Sequence, residues 1–162
     1  MTYKFFSKIY QSWKEKQVKK YKVALEILKR NSIDLKKCNC LNIGCGGFFL
    51  ESFLFEMKML PKLLVSIDID KSIIASEDFT KLKKNIYFVL ANGNFLPFKK
   101  DIFDFVFCVD VAHLLNNLDD VYKVMKKNSY LLLSSFFNLS NKKEVREKML
   151  IKIKKFKIVE EF

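Results

Sequence analysis

The chain has 162 residues, a formal net charge of +12 and a hydrophobic content of 50%. This length and composition predict a single domain, residues 1–162, with a real hydrophobic core. No run of about 18 apolar residues is present, which argues against a transmembrane helix, and the first residues lack the apolar region of a signal peptide. We therefore expect a cytoplasmic protein without a membrane partner.

The first 36 residues are predicted to form a helical lid in front of an α/β core of residues 37–162. Apolar residues recur at helical spacing between positions 3 and 30, and lysines fill the gaps. Tyr10 and Trp13 lie three residues apart and therefore share one helical face. These two rings either pack on the edge of the sheet or close over a ligand, and both interpretations stay open at this point.

The rest of the chain alternates short apolar segments with helical ones. The predicted strands are residues 38–43, 63–67, 86–90, 105–109 and 130–135, with a candidate sixth strand at 156–159. The predicted helices are residues 48–59, 71–78, 118–127 and 141–154. This order predicts right-handed crossovers between parallel strands, and hence an α/β fold with a doubly wound, mostly parallel sheet sandwiched by helices.

Glycine or polar residues follow each of the first four strands. A Gly-x-Gly turn, Gly44 to Gly46, follows the first strand, and Asp68, Asn92 and Asp110 follow the next three. Ligands of doubly wound sheets bind beyond the carboxyl ends of the strands. The sequence therefore predicts one ligand site at this edge. Asp70, two residues beyond Asp68, is instead predicted to cap the next helix.

The four cysteines are predicted to be reduced, buried thiols. They are Cys38, Cys40, Cys45 and Cys108. Cys38 and Cys40 could face one metal from the same side of a strand, but the chain has one histidine and no second close pair. We therefore expect no metal site.

The basic charge suggests an acidic partner such as nucleic acid. Of the 30 lysine and arginine residues, only Arg30 and Arg146 are arginine. Bidentate recognition of phosphates and guanine favours arginine, so this composition weakens the nucleic-acid interpretation. RNA stays a possible but not a favoured partner.

Five segments resemble, in order, the motifs of class I methyltransferases that depend on S-adenosyl-L-methionine. They are LNIGCG at 41–46, SIDID at 66–70, ANGNFLPF at 91–98, FDFV at 103–106 and HLL at 113–115. The resemblance implies a Rossmann-like fold, S-adenosyl-L-methionine as the cofactor, and methyl transfer as the activity.

The resemblance also assigns cofactor-binding roles to individual residues. Gly44 and Gly46 would contact the methionine end of the cofactor, and Asp68 would hold the ribose hydroxyls. Ile69 would lie beside the adenine, with the loop of Asn92 and Gly93 near the adenine amino group. Asn42 occupies the position of the family's acidic residue, which helps to hold the methionine end.

The sequence departs from the family at four points. Asn42 replaces the acidic residue, and Phe48 replaces the last glycine of the loop, where a benzyl group would narrow the pocket. Asn128-Ser129-Tyr130 replaces the usual Pro-Gly-Gly turn. The family's last, antiparallel strand has no counterpart, so we expect an open sheet edge that could serve an oligomer or a partner.

Two residues after the fourth strand are candidate catalytic bases. Asp110 and His113 lie where substrates sit in this fold, and a hydroxyl or protonated amine acceptor would need such a base. A neutral, electron-rich acceptor would need none.

Three functions compete on the sequence alone. The first is an S-adenosyl-L-methionine-dependent methyltransferase that acts on an unidentified small-molecule or RNA acceptor. The second is a non-catalytic or degenerate relative that binds the cofactor weakly or serves as a partner subunit. The third, a nicotinamide dehydrogenase, would need a glycine at position 49, where Phe49 stands.

Overall fold

A computed structural model describes residues 3–75 and 85–161, and side chains within 13–73 and 85–161. The side chain of Tyr10 lies outside the described side chains. The part of the predicted 71–78 helix beyond Ala75 lies outside the described residues. The strands are β1 Asn39–Ile43, β2 Leu63–Asp68, β3 Ile86–Leu90, β4 Phe103–Cys108 and β5 Met125–Leu133. The α-helices are α1 Tyr3–Arg30, α2 Phe49–Glu56, α3 Asp119–Val124 and α4 Lys142–Lys152. Short 3-10 turns cover Leu35–Lys37, Lys71–Ala75 and Ala112–Leu114.

The five strands form one parallel sheet in the order β3-β2-β1-β4-β5. The order reverses between β1 and β4, which is the switch point where ligands of doubly wound sheets bind. In register, Ile43 pairs with Ile67, and Asp68 pairs with Leu90. The carboxyl ends of the three strands β1 to β3 therefore lie side by side, and the predicted α/β class is confirmed.

Each face of the sheet buries a separate apolar cluster, because successive side chains of a strand point to opposite faces. On one face, Cys40 and Phe107 pack with Leu25 of α1 and Phe53 of α2. On the other face, a second set of strand residues packs with α3 and with the partly buried end of α4. That set includes Leu41, Ile67, Val106 and Cys108. Helices thus cover both faces, as the alternating sequence pattern predicts.

The boundary between α3 and β5 differs from the prediction. The helix ends at Val124, and β5 begins at Met125, which pairs with Phe103. The register then shifts between Phe103 and Phe105, and Asn128 adopts a left-handed φ of 61°. Asparagine reaches that conformation at low cost, so the backbone turns here without the glycine pair of the family.

The candidate sixth strand at 156–159 is wrong. Residues 157–161 have no regular secondary structure. Phe156 packs edge-on against Tyr122, with ring centroids 5.6 Å apart. The segment that follows is exposed, and its Glu160 and Glu161 pair with Arg30 and Arg146. Side-chain ion pairs thus hold this segment where strand pairing was expected.

None of the described helices combines the length and the apolar character that crossing a membrane requires.

Candidate functional site

The turn after β1 needs glycine for two different reasons. Gly44 has a φ of +73°, and a Cβ built on it would lie 2.5 Å from Cγ1 of Val111. Gly46 also lies in the left-handed region, at a φ of 50°. A side chain at position 44 would therefore cost backbone strain and a steric clash together.

The amide groups of residues 44 to 46 face the neighbouring strand. The N–H groups of Gly44 and Cys45 both donate to the carbonyl of Ile67, and the N–H of Gly46 donates to Oδ2 of Asp68 at 2.9 Å. A phosphate-binding loop needs such amides free to point at its anion. The turn therefore supplies close backbone approach and shape, and it suits a ligand that carries no phosphate.

Asp68 joins the ends of β1 and β2. Its Oδ2 accepts from Gly46 and its Oδ1 accepts from the N–H of Asp70 at 3.0 Å. A carboxylate has about four acceptor positions, so two remain for a ligand diol. The predicted capping role of Asp70 is confirmed, because its Oδ1 accepts from the N–H of Ser72.

A half-open cleft lies between α1 and the ends of β1 and β4. Its lining combines the glycine turn, three side chains of α1, the residues after β4 and one aromatic ring after β5. They are Trp13, Gln17, Tyr21, Gly44, Cys45, Gly46, Gly47, Phe49, Val109, Asp110, Val111 and Phe136. Trp13 and Phe136 close its rim, with ring centroids 5.0 Å apart.

Asp110 is the most heavily engaged carboxylate in this cleft, with an exposed fraction of only 4%. It accepts from Nε2 of Gln17 at 2.6 Å, from Nζ of Lys20 on both oxygens, and from Oγ of Ser134. These four hydrogen bonds fill the acceptor positions of a carboxylate. Asp110 therefore ties α1 to the end of β4, and it has no acceptor position left for a substrate proton.

Gln17 and Lys20 are site residues that the sequence analysis missed. Both lie in a helix whose lysines repeat on every side, so no local pattern distinguishes the residues that face the sheet. The partner carboxylate lies about 90 residues away in the chain. Oε1 of Gln17 is buried and has no hydrogen-bond partner among the described residues.

His113 is exposed in the 3-10 turn after β4. Its ring centroid lies 6.3 Å from that of Phe136, edge-on, at the rim of the cleft. Nζ of Lys152 donates to the carbonyls of Ala112 and Leu115 and so fixes this turn from α4. Of the two candidate bases, Asp110 is thus buried in the cleft and His113 is open to solvent.

Asn42 does not line the cleft, and its side chain is bonded elsewhere. Its Nδ2 donates to Oε1 of Glu51, which also accepts from Oγ of Ser66. Glu51 has no exposed surface, and burial raises the pKa of its carboxyl group above the usual value. Position 42 therefore lacks the carboxylate that the family carries there. The acidic group in contact with this position is Glu51 of α2.

Phe48 does not narrow the cleft, contrary to expectation. Its side chain is fully buried and packs with Cys45, Ile73 and Phe88. Its backbone keeps a φ of 56°, the left-handed conformation that the family's glycine permits. The benzyl group therefore fills a small cluster beside the turn while the backbone path of the loop is retained.

The remaining predicted cofactor residues lie at the open end of the site. Ile69 is 72% exposed, directly beyond Asp68. Asn92 is exposed, and its Oδ1 accepts from the N–H of Asn94 and so closes the turn. A Cβ on Gly93 would lie 2.9 Å from atoms of Ile43 and Leu115, which gives this glycine a packing role.

The cysteines are free and mostly buried. Burial raises the pKa of Cys108 to about 12 and the pKa of Cys45 well above the usual range. Their thiolate forms are therefore suppressed, and neither is a ready nucleophile. Within 13–73 and 85–161, no three side chains of the ligating types cluster as a metal site would require.

The methyltransferase domain model matches residues 41–133 of the chain. A tRNA U34 carboxymethyltransferase of Sulfurimonas denitrificans is 30% identical over 117 residues, which cover 68% of this chain and 38% of that protein. The chain thus spans about two fifths of the length of this curated relative.

Solved structures share the fold. A SAM-dependent methyltransferase from Aquifex aeolicus aligns with a TM-score of 0.51 and 24% identity, over 65% of this chain and 60% of that one. An S-adenosylmethionine-dependent methyltransferase from Mesorhizobium loti aligns with a TM-score of 0.55 and 13% identity, over 63% and 48%.

The family and these neighbours imply S-adenosylmethionine as the cofactor, and the residues present fit it. The cofactor carries no phosphate, in keeping with a turn whose amides at positions 44 to 46 are already bonded. Asp68 keeps acceptor positions for the ribose diol, and the cleft beside it holds a buried, unpartnered oxygen on Gln17. Because the methyltransferase domain model matches more than half of the chain's length, the chain belongs to the methyltransferase domain family.

Proposed function

We propose that this chain binds S-adenosylmethionine across the Gly44 turn and Asp68 and transfers its methyl group to an acceptor that enters at the rim beside His113. The observation that carries the proposal is the hydrogen bond from Gly46 to Asp68 next to the cleft. It joins the turn and the diol acceptor into one site at the switch point of the sheet.

The reaction in this site is an in-line displacement, for which the bound cofactor supplies an activated methyl group. The chain's own residues orient and shield it. Trp13 and Phe136 exclude water at the rim of the cleft. The glycine turn sets the distance between the cofactor and β4. Asp110 would first have to give up one of its four hydrogen bonds before it could take a proton, so the exposed His113 is the more available base.

The acceptor in this proposal is a small molecule or an RNA. The Sulfurimonas denitrificans relative is named for tRNA, and the chain's charge of +12 would favour a polyanion. The shortage of arginine argues for the small-molecule alternative. Incubation with methyl-labelled cofactor and either total tRNA or a metabolite extract separates these acceptor classes by where the label is found.

The binding half of the proposal has a direct test by calorimetry with S-adenosylhomocysteine. Asp68→Ala removes the diol acceptor and should weaken binding by about 1.5–3 kcal/mol, the range for a hydrogen bond to a charged group. Asp70→Ala, which removes a carboxylate from the same loop, is the matched control and should bind nearly as the parent chain does. Unchanged affinity of a folded Asp68→Ala variant would overturn the assignment of Asp68.

A second candidate function is a non-catalytic relative that binds the cofactor or assists a partner. Two sets of hydrogen bonds favour it. Asn42 is bonded to Glu51, and Asp110 is bonded to two side chains of α1 and to one side chain after β5. Binding of S-adenosylhomocysteine with no labelled product in either acceptor pool would favour this function over catalysis.

A partner or second copy at the sheet edge remains part of the proposal. Among the described strands β5 pairs with β4 alone, at the edge where the family's last strand would lie, and Tyr130 on β5 is 38% exposed. Exposed strand edges pair readily with other chains. Light scattering on the parent chain and on Tyr130→Lys would detect a dimer and its loss.

A further inference from the structure

Gln17 is held in one orientation by the carboxylate that it contacts. Its Nε2 lies 2.6 Å from Oδ2 of Asp110, which is also ion-paired with Lys20. An ionised carboxylate accepts hydrogen bonds and cannot donate them. The amide nitrogen must therefore face Asp110, and Oε1 must face the other way.

That oxygen is an acceptor without a donor. Gln17 is only 9% exposed, and Oε1 has no hydrogen-bond partner among the described residues. An unsatisfied buried acceptor destabilises the folded chain, so a ligand that brings a donor recovers that cost. Asp110 cannot serve the same donor, because Gln17, Lys20 and Ser134 fill its acceptor positions.

The position of Gln17 selects which end of the cofactor it meets. Asp68 and Ile69 do not line the cleft, whereas Gln17 lines it together with Gly44, Gly46 and other residues. A ligand whose ribose is held at Asp68 therefore directs its adenine toward the open side at Ile69. Its amino-acid end is then directed into the cleft, where the α-ammonium group is the strong donor.

We propose that Oε1 of Gln17 accepts a hydrogen bond from the α-ammonium group of the cofactor, with Asp110 as the positioning residue that fixes the amide. This inference rests on the proposed cofactor site. It makes α1 a part of the binding site that selects for the amino-acid end. It also assigns Lys20 the role of neutralising Asp110, so that the buried carboxylate does not repel or capture other groups.

The test compares three ligands by calorimetry on the full chain. S-adenosylhomocysteine carries the α-ammonium, its deaminated analogue keeps only the carboxylate, and 5′-methylthioadenosine lacks the whole amino-acid end. Gln17→Met should weaken S-adenosylhomocysteine about 10- to 100-fold, the size of a lost hydrogen bond to a charged group. The same substitution should change the affinity of the other two ligands less than about twofold.

Lys19→Met, on the exposed side of the same helix, is the matched control and should bind all three ligands as the parent chain does. Equal weakening of all three ligands by Gln17→Met would overturn the proposal, because the residue would then act only by positioning α1. Unchanged S-adenosylhomocysteine affinity in Gln17→Met would overturn it too. If the parent chain binds 5′-methylthioadenosine and S-adenosylhomocysteine no better than ATP, the proposed function itself fails.

Discussion

Phe48 combines a backbone conformation that suits glycine with a side chain that the core requires. Its φ is 56° and its benzyl group is fully buried against Cys45, Ile73 and Phe88. The left-handed conformation costs a residue with a Cβ about 1–2 kcal/mol. A buried phenylalanine contributes about 3–5 kcal/mol relative to alanine, so packing prevails over strain here.

Two substitutions at position 48 separate the packing energy of the side chain from the strain of the backbone. Phe48→Ala should lower the free energy of unfolding by about 3–5 kcal/mol, because it loses the packing and keeps the strain. Phe48→Gly should be less destabilised than Phe48→Ala by about 1 kcal/mol, because glycine adopts the conformation freely. Urea unfolding of the two variants measures the difference. A glycine variant less stable than the alanine variant would contradict the strain account.

Glu51 should make stability depend on pH in the direction opposite to an ion-paired carboxylate. Burial raises its folded-state pKa above the usual 4.5, although hydrogen bonds from Ser66 and Asn42 oppose the shift. Above about 4.5 the folded state then holds a proton that the unfolded state has released. The stability contribution is therefore complete below that pH and falls as pH rises toward the folded-state pKa.

We expect Glu51→Gln to remove this loss of stability at higher pH. The glutamine side chain is uncharged, and its amide oxygen still accepts hydrogen bonds from Ser66 and Asn42. Urea unfolding at several pH values should show a gap between variant and parent that grows above pH 4.5. Glu56→Gln, on the exposed end of the same helix, should follow the parent chain throughout. A gap independent of pH would mean that Glu51 does not titrate in this window.

At the scale of elements, α1 has two parts with different neighbours. Its second half buries Tyr21, Leu25 and Leu28 in the core, and Tyr21 packs on Phe53 with ring centroids 5.6 Å apart. The stretch from Trp13 to Tyr21 meets the site, where Trp13, Gln17 and Tyr21 line the cleft and Trp13 stays 39% exposed. Of the two interpretations of Trp13, the position at the rim favours contact with a ligand over packing alone.

Trp13 is the chain's one tryptophan, so its emission reports on α1 at the cleft. Addition of S-adenosylhomocysteine should shift or quench that emission, because the ligand displaces water from the indole. ATP should leave the emission unchanged, since the amides of the glycine turn are not free to hold phosphates. A titration that saturates by calorimetry without any change in emission would count against ligand contact by Trp13.

At the scale of the whole molecule, the charge of +12 is carried almost entirely by lysine. We expect any RNA affinity to come from general attraction to phosphates and to fall about tenfold or more when salt rises from about 50 to about 200 mM. Filter binding to two unrelated RNAs at both salt levels measures this. Tight, sequence-selective binding at the higher salt would contradict it and favour an RNA acceptor.

The fold follows from the sequence because alternating apolar strands and helices admit few arrangements. The same rule brings Gly44 and Asp68 together, since parallel strands end at one edge. It does not predict Gln17 or Lys20, whose partner is distant in sequence and whose helix has lysine on every side. The 156–159 strand is wrong because apolar residues there favour a strand locally, whereas Phe156 finds a partner on α3 instead.

The contact between Gln17 and Asp110 spans 93 residues, and this separation bears on the order of folding. The part of α1 from Tyr21 onward can dock on α2 first, because Phe53, the partner of Tyr21, precedes Asp110 in the chain. At about 5–20 residues per second, Asp110 follows Gln17 from the ribosome by roughly 5 to 20 s. The contacts of Gln17 and Lys20 must wait for it, so the ligand site is completed late, after the strands that flank it have paired.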